Sequence, residues 1–346
     1  MRRRILGAVA ASALGISGLV ALGAPNATAA DSTRPVEYNF TSGFLKGFLQ
    51  AGRAPDGAND WACRPSAEHP QPVVLIHGTL ENMNDNWRGA APLLANNGYC
   101  VFAFNYGSAG ETDAVQGLGP MKDSAAKLGT FVDKVRAATG AAEVDLVGHS
   151  QGGGPMPRYY LKNDPSAAGK VAKLIGITPS NHGTTLSGIT QLGSALHLLE
   201  PANDLLTKTS PALVEQEIGS DFNKQLDAGG DTVPGVDYTV IASKYDEVVT
   251  PYTNSYLTAG PGATVRNIRV QDACAKDLTD HLEAAYDPIS LTYVLNALDP
   301  AHPRAVKCQA VLPLTGPVGP TPIRAPRCPA RGTACRPSRP SGRNGS

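Results

Sequence analysis

Ser150 lies in Gly148-His149-Ser150-Gln151-Gly152, a G-x-S-x-G sequence that follows Val144-Asp145-Leu146-Val147 and runs into Gly153-Gly154. That spacing suits a nucleophile. To expose a serine Oγ at the end of a strand, the chain must reverse into a helix within a few residues. The serine then takes strained dihedrals, and its neighbours two away on each side must be small. Gly148 and Gly152 are those neighbours. The same turn aims backbone N–H groups and a helix N-terminus at a carbonyl that gathers negative charge. Alone the pentapeptide is common; between an apolar strand and a helix start it is specific.

An activated serine needs a base, and the base needs an acid to orient it. Seven histidines compete: His69, His77, His149, His182, His197, His281 and His302. Around such an elbow the partners follow in the order Ser, then Asp or Glu, then His. Only His281 and His302 follow an acid placed after a later strand. His302, between Ala301 and Pro303, reads as exposed, so His281 is the expected base. The acid belongs just past the strand expected over Val236–Ser243, where Asp246 and Glu247 compete. Asp246 is closer to the strand end, and its shorter side chain holds an imidazole more rigidly. Asp280 reads as a solvated or capping carboxylate, because adjacent side chains rarely face each other. The oxyanion donors expected are the N–H of Gln151 and that of Thr79, which follows His77-Gly78. His149 reads as a packed residue, and His182 as one that shapes the loop beside the site.

These residues need a frame. Pro72–His77, Cys100–Phe104, Val144–Val147, Lys173–Thr178, Val236–Ser243 and Ala263–Val270 read as buried strands. Helices are expected over Trp87–Asn97, Met121–Ala138 and Pro288–Leu298, the second ended by Gly140. Such alternation means a mostly parallel central sheet flanked by helices, an α/β fold. Residues 179–234 are too many for one crossover helix. With an apolar stretch over Leu186–Leu199 and an amphipathic one over Pro211–Leu226, they suggest a cap or lid; an ordinary crossover with a surface excursion is the alternative.

Met1 to Ala30 reads as a secretory signal: Arg2-Arg3-Arg4, an apolar run to Leu22, and a small-x-small site at Ala27-Thr28-Ala29. The rival is a membrane anchor of roughly 18 residues, which the cleavage site and the Gly and Ala content disfavour. Either Sec or twin-arginine export fits. Residues 31–70 read as an irregular lead-in, 71–312 as the catalytic domain, and 313–346 as a disordered Pro/Arg-rich tail. Lys+Arg and Asp+Glu balance at 30 each, but nine arginines lie in the leader and in residues 320–346. The body therefore carries an excess of acids, which argues against nucleic acid. Six cysteines in an exported chain suggest disulfides. Fifteen pairings exist; chain order favours Cys63–Cys100, Cys274–Cys308 and Cys328–Cys335. The spacings lack a C-x2-C pair, so no metal site is expected.

With these residues placed, the chain resembles the secreted α/β-hydrolase lipases and esterases of bacteria, most closely those of actinobacteria. The resemblance rests on Val73 to Thr79, Asp145 to Gly153, Pro179 to Thr184, Tyr245 to Pro251 and Asp280-His281. It implies Ser150 as nucleophile, Asp246 as acid, His281 as base, and Thr79 and Gln151 as oxyanion donors. Gly154, Pro155 and Pro157 depart from the pattern, in which larger helix-formers usually stand. The implied reaction is hydrolysis of lipid esters by a secreted monomer at an interface, with no stable membrane anchor after cleavage. A short-chain carboxylesterase or a cutinase-like polyester hydrolase would use the same residues; a catalytically silent binding protein would leave them idle. No organic cofactor is needed. The acidic body would admit a structural calcium ion, but no ligand spacing marks one.

Overall fold

The computed structural model describes residues 33–195 and 210–319. The expected leader, the Cys328–Cys335 pair and part of the 179–234 insertion lie outside them.

A six-stranded sheet forms from β1 Val73–Ile76, β2 Val101–Phe104, β3 Val144–His149, β4 Val171–Ile177, β5 Asp237–Ala242 and β6 Thr264–Arg269. The last of these, β6, expected to be buried, is instead a mostly exposed edge strand in which only Ile268 is buried. Every pairing is parallel, in the order β2-β1-β3-β4-β5-β6. Side chains alternate across a strand, so each strand feeds two cores. On one face Val74, Ile76, Phe102, Leu146 and Val240 pack with α4 Met121–Thr139 and α5 Pro155–Asn163. On the other, Val73, Leu75, Val147, Ile175 and Ile241 pack with Leu93, Leu94, Ile289 and Val294. The chain leaves β1 for the edge strand β2 and returns to β3, so the strand order reverses beside β1. In open α/β sheets ligands collect at such a point, at the strand C-termini.

Several elements depart from expectation. The lead-in is not wholly irregular: α1 spans Phe40–Gly47, capped by Asn39, whose Oδ1 accepts from the Ser42 N–H at 2.7 Å. Phe40 and Phe44, four apart on one face, are buried against Tyr286 and Leu282. Burying each stabilises the helix by roughly 2 kcal/mol, which offsets the poor helix propensity of its glycines. The helix expected over Trp87–Asn97 is instead α2 Met83–Asn86 and α3 Ala90–Asn96. An Asn82–Asp85 capping box starts the first, and Gly89 separates the two. The stretch Pro211–Leu226 is also two helices, α7 Pro211–Glu215 and α8 Asp221–Asp227, following α6 Leu186–Ala195. Gly219 (φ 78°) and the Ser220 cap break it. Residues 313–319, read from sequence as tail, are part of the fold. Val311–Leu312 (β7) and Gly316–Pro317 (β8) pair antiparallel, and the Leu314 carbonyl accepts from Thr41 N–H and Oγ1 on α1.

Pro155 and Pro157 fall at the first and third positions of α5. Helix N–H groups there have no intrahelical partner, so neither proline costs a bond. The first is made by Arg158 N–H to the Gly154 carbonyl at 3.0 Å.

Two disulfides form as chain order suggested, Cys63–Cys100 and Cys274–Cys308, closing loops of 37 and 34 residues. By the chain-entropy argument each contributes on the order of 4 kcal/mol. The first ties the lead-in to the start of β2. The second braces the segment between β6 and the α9 helix, Pro288–Leu298, that follows His281.

Candidate active site

Ser150 begins a tight turn over Ser150–Gly153, between β3 and α5, and holds φ at 55°. Such a conformation is costly for a side-chain-bearing residue and persists only where its surroundings enforce it. Here the enforcement is close packing. A Cβ on Gly148 would lie 1.8 Å from the Gly152 carbonyl oxygen, and one on Gly152 would lie 2.2 Å from that of His77. Neither position has room for another residue.

His281 and Asp246 come together from the loops after β6 and β5. The imidazole Nδ1 lies 3.0 Å from both carboxylate oxygens. Asp246 is itself held: its Oδ1 accepts from the N–H groups of Val248 at 3.0 Å and Val249 at 2.7 Å. With Nδ1 donating to the carboxylate, the lone pair sits on Nε2. That atom is buried with no hydrogen-bond partner among the described residues. Burial pulls the His281 pKa down, but the Asp246 carboxylate more than offsets it, and Glu247 and Glu81 add to the rise; the net shift is upward. Glu247, the competing acid, reaches the main chain instead, accepting from the His281 N–H at 3.3 Å. Asp280 is buried rather than solvated, and caps a turn by accepting from Glu283 N–H at 2.7 Å. His302 is exposed and pairs with Asp299.

The loop after β1 lies against the elbow. A Cβ on Gly78 would come within 3.3 Å of Ser150 Cβ and 2.4 Å of Glu81 Oε2, so Gly78 is needed for approach and not merely for a turn. Gly78 N–H is spent on Asn86 Oδ1 (2.8 Å) and Leu80 N–H on the Gln116 carbonyl (3.0 Å). His77 is fully buried, stacks on Tyr106, and has its pKa pushed by burial down to about 3. It is a neutral core residue.

Thr79 carries a feature that sequence reasoning did not find. Its Oγ1 accepts from Gln151 Nε2 and from Gln216 Nε2, each at 3.0 Å. Both amides have fixed orientation. The other N–H of Gln151 goes to the Gly117 carbonyl, that of Gln216 to the Ala212 carbonyl, and Gln216 Oε1 accepts from Ser180 Oγ. A hydroxyl has two acceptor lone pairs and one donor hydrogen. With both lone pairs taken, the Thr79 hydroxyl is left to donate. Nothing in the 211–226 pattern marks Gln216 for this contact.

His182 stands farther out, in a charge cluster. Its Nδ1 lies 3.1 Å from Asp227, its Nε2 3.0 Å from the Tyr256 carbonyl, and the buried Arg158 guanidinium pairs with both Asp227 and Asp231. The hydrogen bond to Asp227 and the Asp231 carboxylate 3.6 Å from Nε2 push the His182 pKa up to about 9. The three side chains His182, Asp227 and Asp231 are close enough to share a cation, but Arg158 already supplies one. Their arrangement ties the loop after β4 to α8.

Behind His281 lies a group of buried acids. Burial, then Asp287, pushes Asp277 up to about 8; burial pushes Glu283 up to about 10. Both are protonated in the fold at neutral pH and ionised in the unfolded chain. A folded state that holds more protons loses stability as pH rises. The acids' contribution is full below their unfolded pKa of about 4 and is lost towards 8 and 10. That of His182 is lost between about 6.5 and 9. Melting temperature should therefore fall steadily from mildly acidic to alkaline pH, and Glu283→Gln should flatten the alkaline end. A melting temperature that rose with pH over this range would contradict the assignment.

A serine on a tight strand-to-helix turn of a parallel sheet, with an acid–imidazole pair on later loops, defines an α/β-hydrolase. The Aspergillus fumigatus lipase B structure shares the fold, with a TM-score of 0.56 and 19% identity over 75% of this chain and 58% of that one. The family model "Lipase (class 2)" matches residues 70–293, and the chain belongs to that family. It is 37% identical over 108 residues to a triacylglycerol lipase of Pseudarthrobacter phenanthrenivorans, and 33% identical over 108 residues to one of Burkholderia plantarii. Those matches cover 30% of this chain, and 32% and 28% of the two relatives, under a third of their length.

Proposed function

We propose that the protein is an exported serine hydrolase of lipid esters. The observation that carries this reading is the buried Asp246–His281 pair, which leaves Nε2 basic on a loop beside the elbow. Ser150 Oγ attacks the ester carbonyl while Nε2 takes its proton. The resulting oxyanion is met by the N–H groups of Thr79 and Gln151 and by the Thr79 hydroxyl. His281 then protonates the leaving alcohol, and water, activated by the same nitrogen, releases the acid from the acyl-enzyme. No step needs a cofactor.

His281 must be neutral to act, and its pKa is raised. Activity is therefore lost as pH falls through that raised value. The acid limb of kcat/KM should lie above the ordinary imidazole value of about 6.5; a limb clearly below it would remove Asp246 as the partner.

The substrate class follows from the family and from the apolar neighbours of the site. Leu80, Val248 and Leu282 adjoin Thr79, Asp246 and His281, and they cluster with Phe40, Phe44 and Leu192 of α6. Two disulfides support export to an oxidising compartment. Among the described residues no helix is long and apolar enough to cross a membrane. Rate measured against triglyceride concentration should rise sharply above the solubility limit. Full activity on soluble p-nitrophenyl acetate with none on emulsions would point to a short-chain carboxylesterase instead.

A further inference from the structure

His149, the residue before the nucleophile, is fully buried and does more than pack. Its Nε2 lies 3.0 Å from the carbonyl oxygen of His281, and its Nδ1 lies 2.9 Å from Oε2 of Glu81. A carbonyl can only accept, so Nε2 carries a proton and donates it there. Asn86, whose Oδ1 holds Gly78 N–H, places its Nδ2 3.2 Å from the same Nδ1. The imidazole thus spans from the loop bearing Thr79 to the main chain of the base, and its ring centre is 5.0 Å from that of His281. Glu247 holds the other main-chain group of His281, its N–H.

Resting on the serine-hydrolase reading above, we propose that His149 is a positioning residue for His281. With Glu81 it forms a buried strut that fixes the base relative to the nucleophile and the oxyanion loop. The catalytic imidazole is aimed by Asp246 at its side chain, but side-chain aim is useful only if the backbone beneath it is fixed. Glu81 and His149 supply the shorter hold on the His281 carbonyl, from the two loops on which the substrate carbonyl must sit; the Thr178 hydroxyl donates to the same His281 oxygen at 3.4 Å. A base displaced by a fraction of an ångström loses rate in the chemical step without losing substrate affinity.

The test compares His149→Phe, His149→Gln and His149→Asn on a soluble p-nitrophenyl ester, with kcat expressed per active site titrated by a p-nitrophenyl phosphonate. Phe fills the volume and offers no nitrogen, so kcat should fall about 10- to 100-fold with KM within about twofold. The Gln amide nitrogen stands where Nε2 stands and should recover most of the loss. The Asn amide stands at the place of Nδ1 and should not. A role confined to folding would lower melting temperature and titrated fraction while leaving kcat per site unchanged, and would overturn the proposal. If His149→Phe does not fold, the Gln-against-Asn difference decides, and equal rates for the two overturn the strut. Wild-type protein that neither turns over nor titrates would overturn the nucleophile reading and the strut with it. Wild type that titrates, beside His149→Phe at wild-type kcat, removes the strut alone.

Discussion

Ser150→Ala should reduce kcat by about 10⁶-fold and leave the melting temperature nearly unchanged. The size follows from the role: without Oγ no acyl-enzyme forms, and only the oxyanion donors and bound geometry remain to help water. The fold should not notice. Alanine keeps the Cβ that already occupies the turn at φ 55°, and among the described residues Ser150 Oγ makes no hydrogen bond that ties another element down. Initial rates on a p-nitrophenyl ester, paired with a thermal melt, check both halves. A folded variant with a tenth of wild-type activity would move the nucleophile elsewhere.

Asp246→Asn should lower kcat by about 10⁴-fold, for a reason legible in its hydrogen bonds. The Val248 and Val249 N–H groups both donate to Oδ1, so an asparagine would keep its carbonyl oxygen there. Its Nδ2 then faces His281 Nδ1, 3.0 Å from the present Oδ2. The imidazole must turn to the tautomer with its proton on Nε2, the atom that has to receive one from Ser150. The base is present, correctly placed and in the wrong protonation state. Glu247 cannot replace the lost acid, because it is engaged by the His281 main chain. The comparison of Asp246→Asn with Glu247→Gln by kcat reads this directly. A greater loss from Glu247→Gln would reverse the assignment of the two acids.

The parts of the fold that sequence pattern reached are those set by burial. Strands β1 to β5 are short, largely apolar runs, and a parallel sheet covered on both faces leaves little else for such runs to be; the edge strand β6 is mostly exposed, with only Ile268 buried. The elbow was legible because steric demand there admits only glycine at 148 and 152. Asp246 and His281 followed from chain order on a parallel sheet. What escaped was set by partners distant in sequence. Phe40 and Phe44 carry a helical spacing, but the glycines around them weaken it, and only Tyr286 and Leu282 make that face worth burying. The stretch 211–226 has one amphipathic period yet is two helices, since Gly219 can take φ 78° and Ser220 can cap. His149 reads from sequence as a packed residue because its polar partners, Glu81, Asn86 and the main chain of His281, are all distant in sequence. Gln216 likewise meets Thr79 only through the fold.

The nucleophile claim is most directly tested by covalent trapping. Wild-type protein is incubated with a p-nitrophenyl phosphonate, p-nitrophenolate is counted, and the adduct is located by peptide mapping. One equivalent of p-nitrophenolate per chain, one adduct, on Ser150, and loss of ester hydrolysis in step with labelling are predicted. A folded, ester-hydrolysing protein that forms no adduct, or forms it at another residue, would contradict the account.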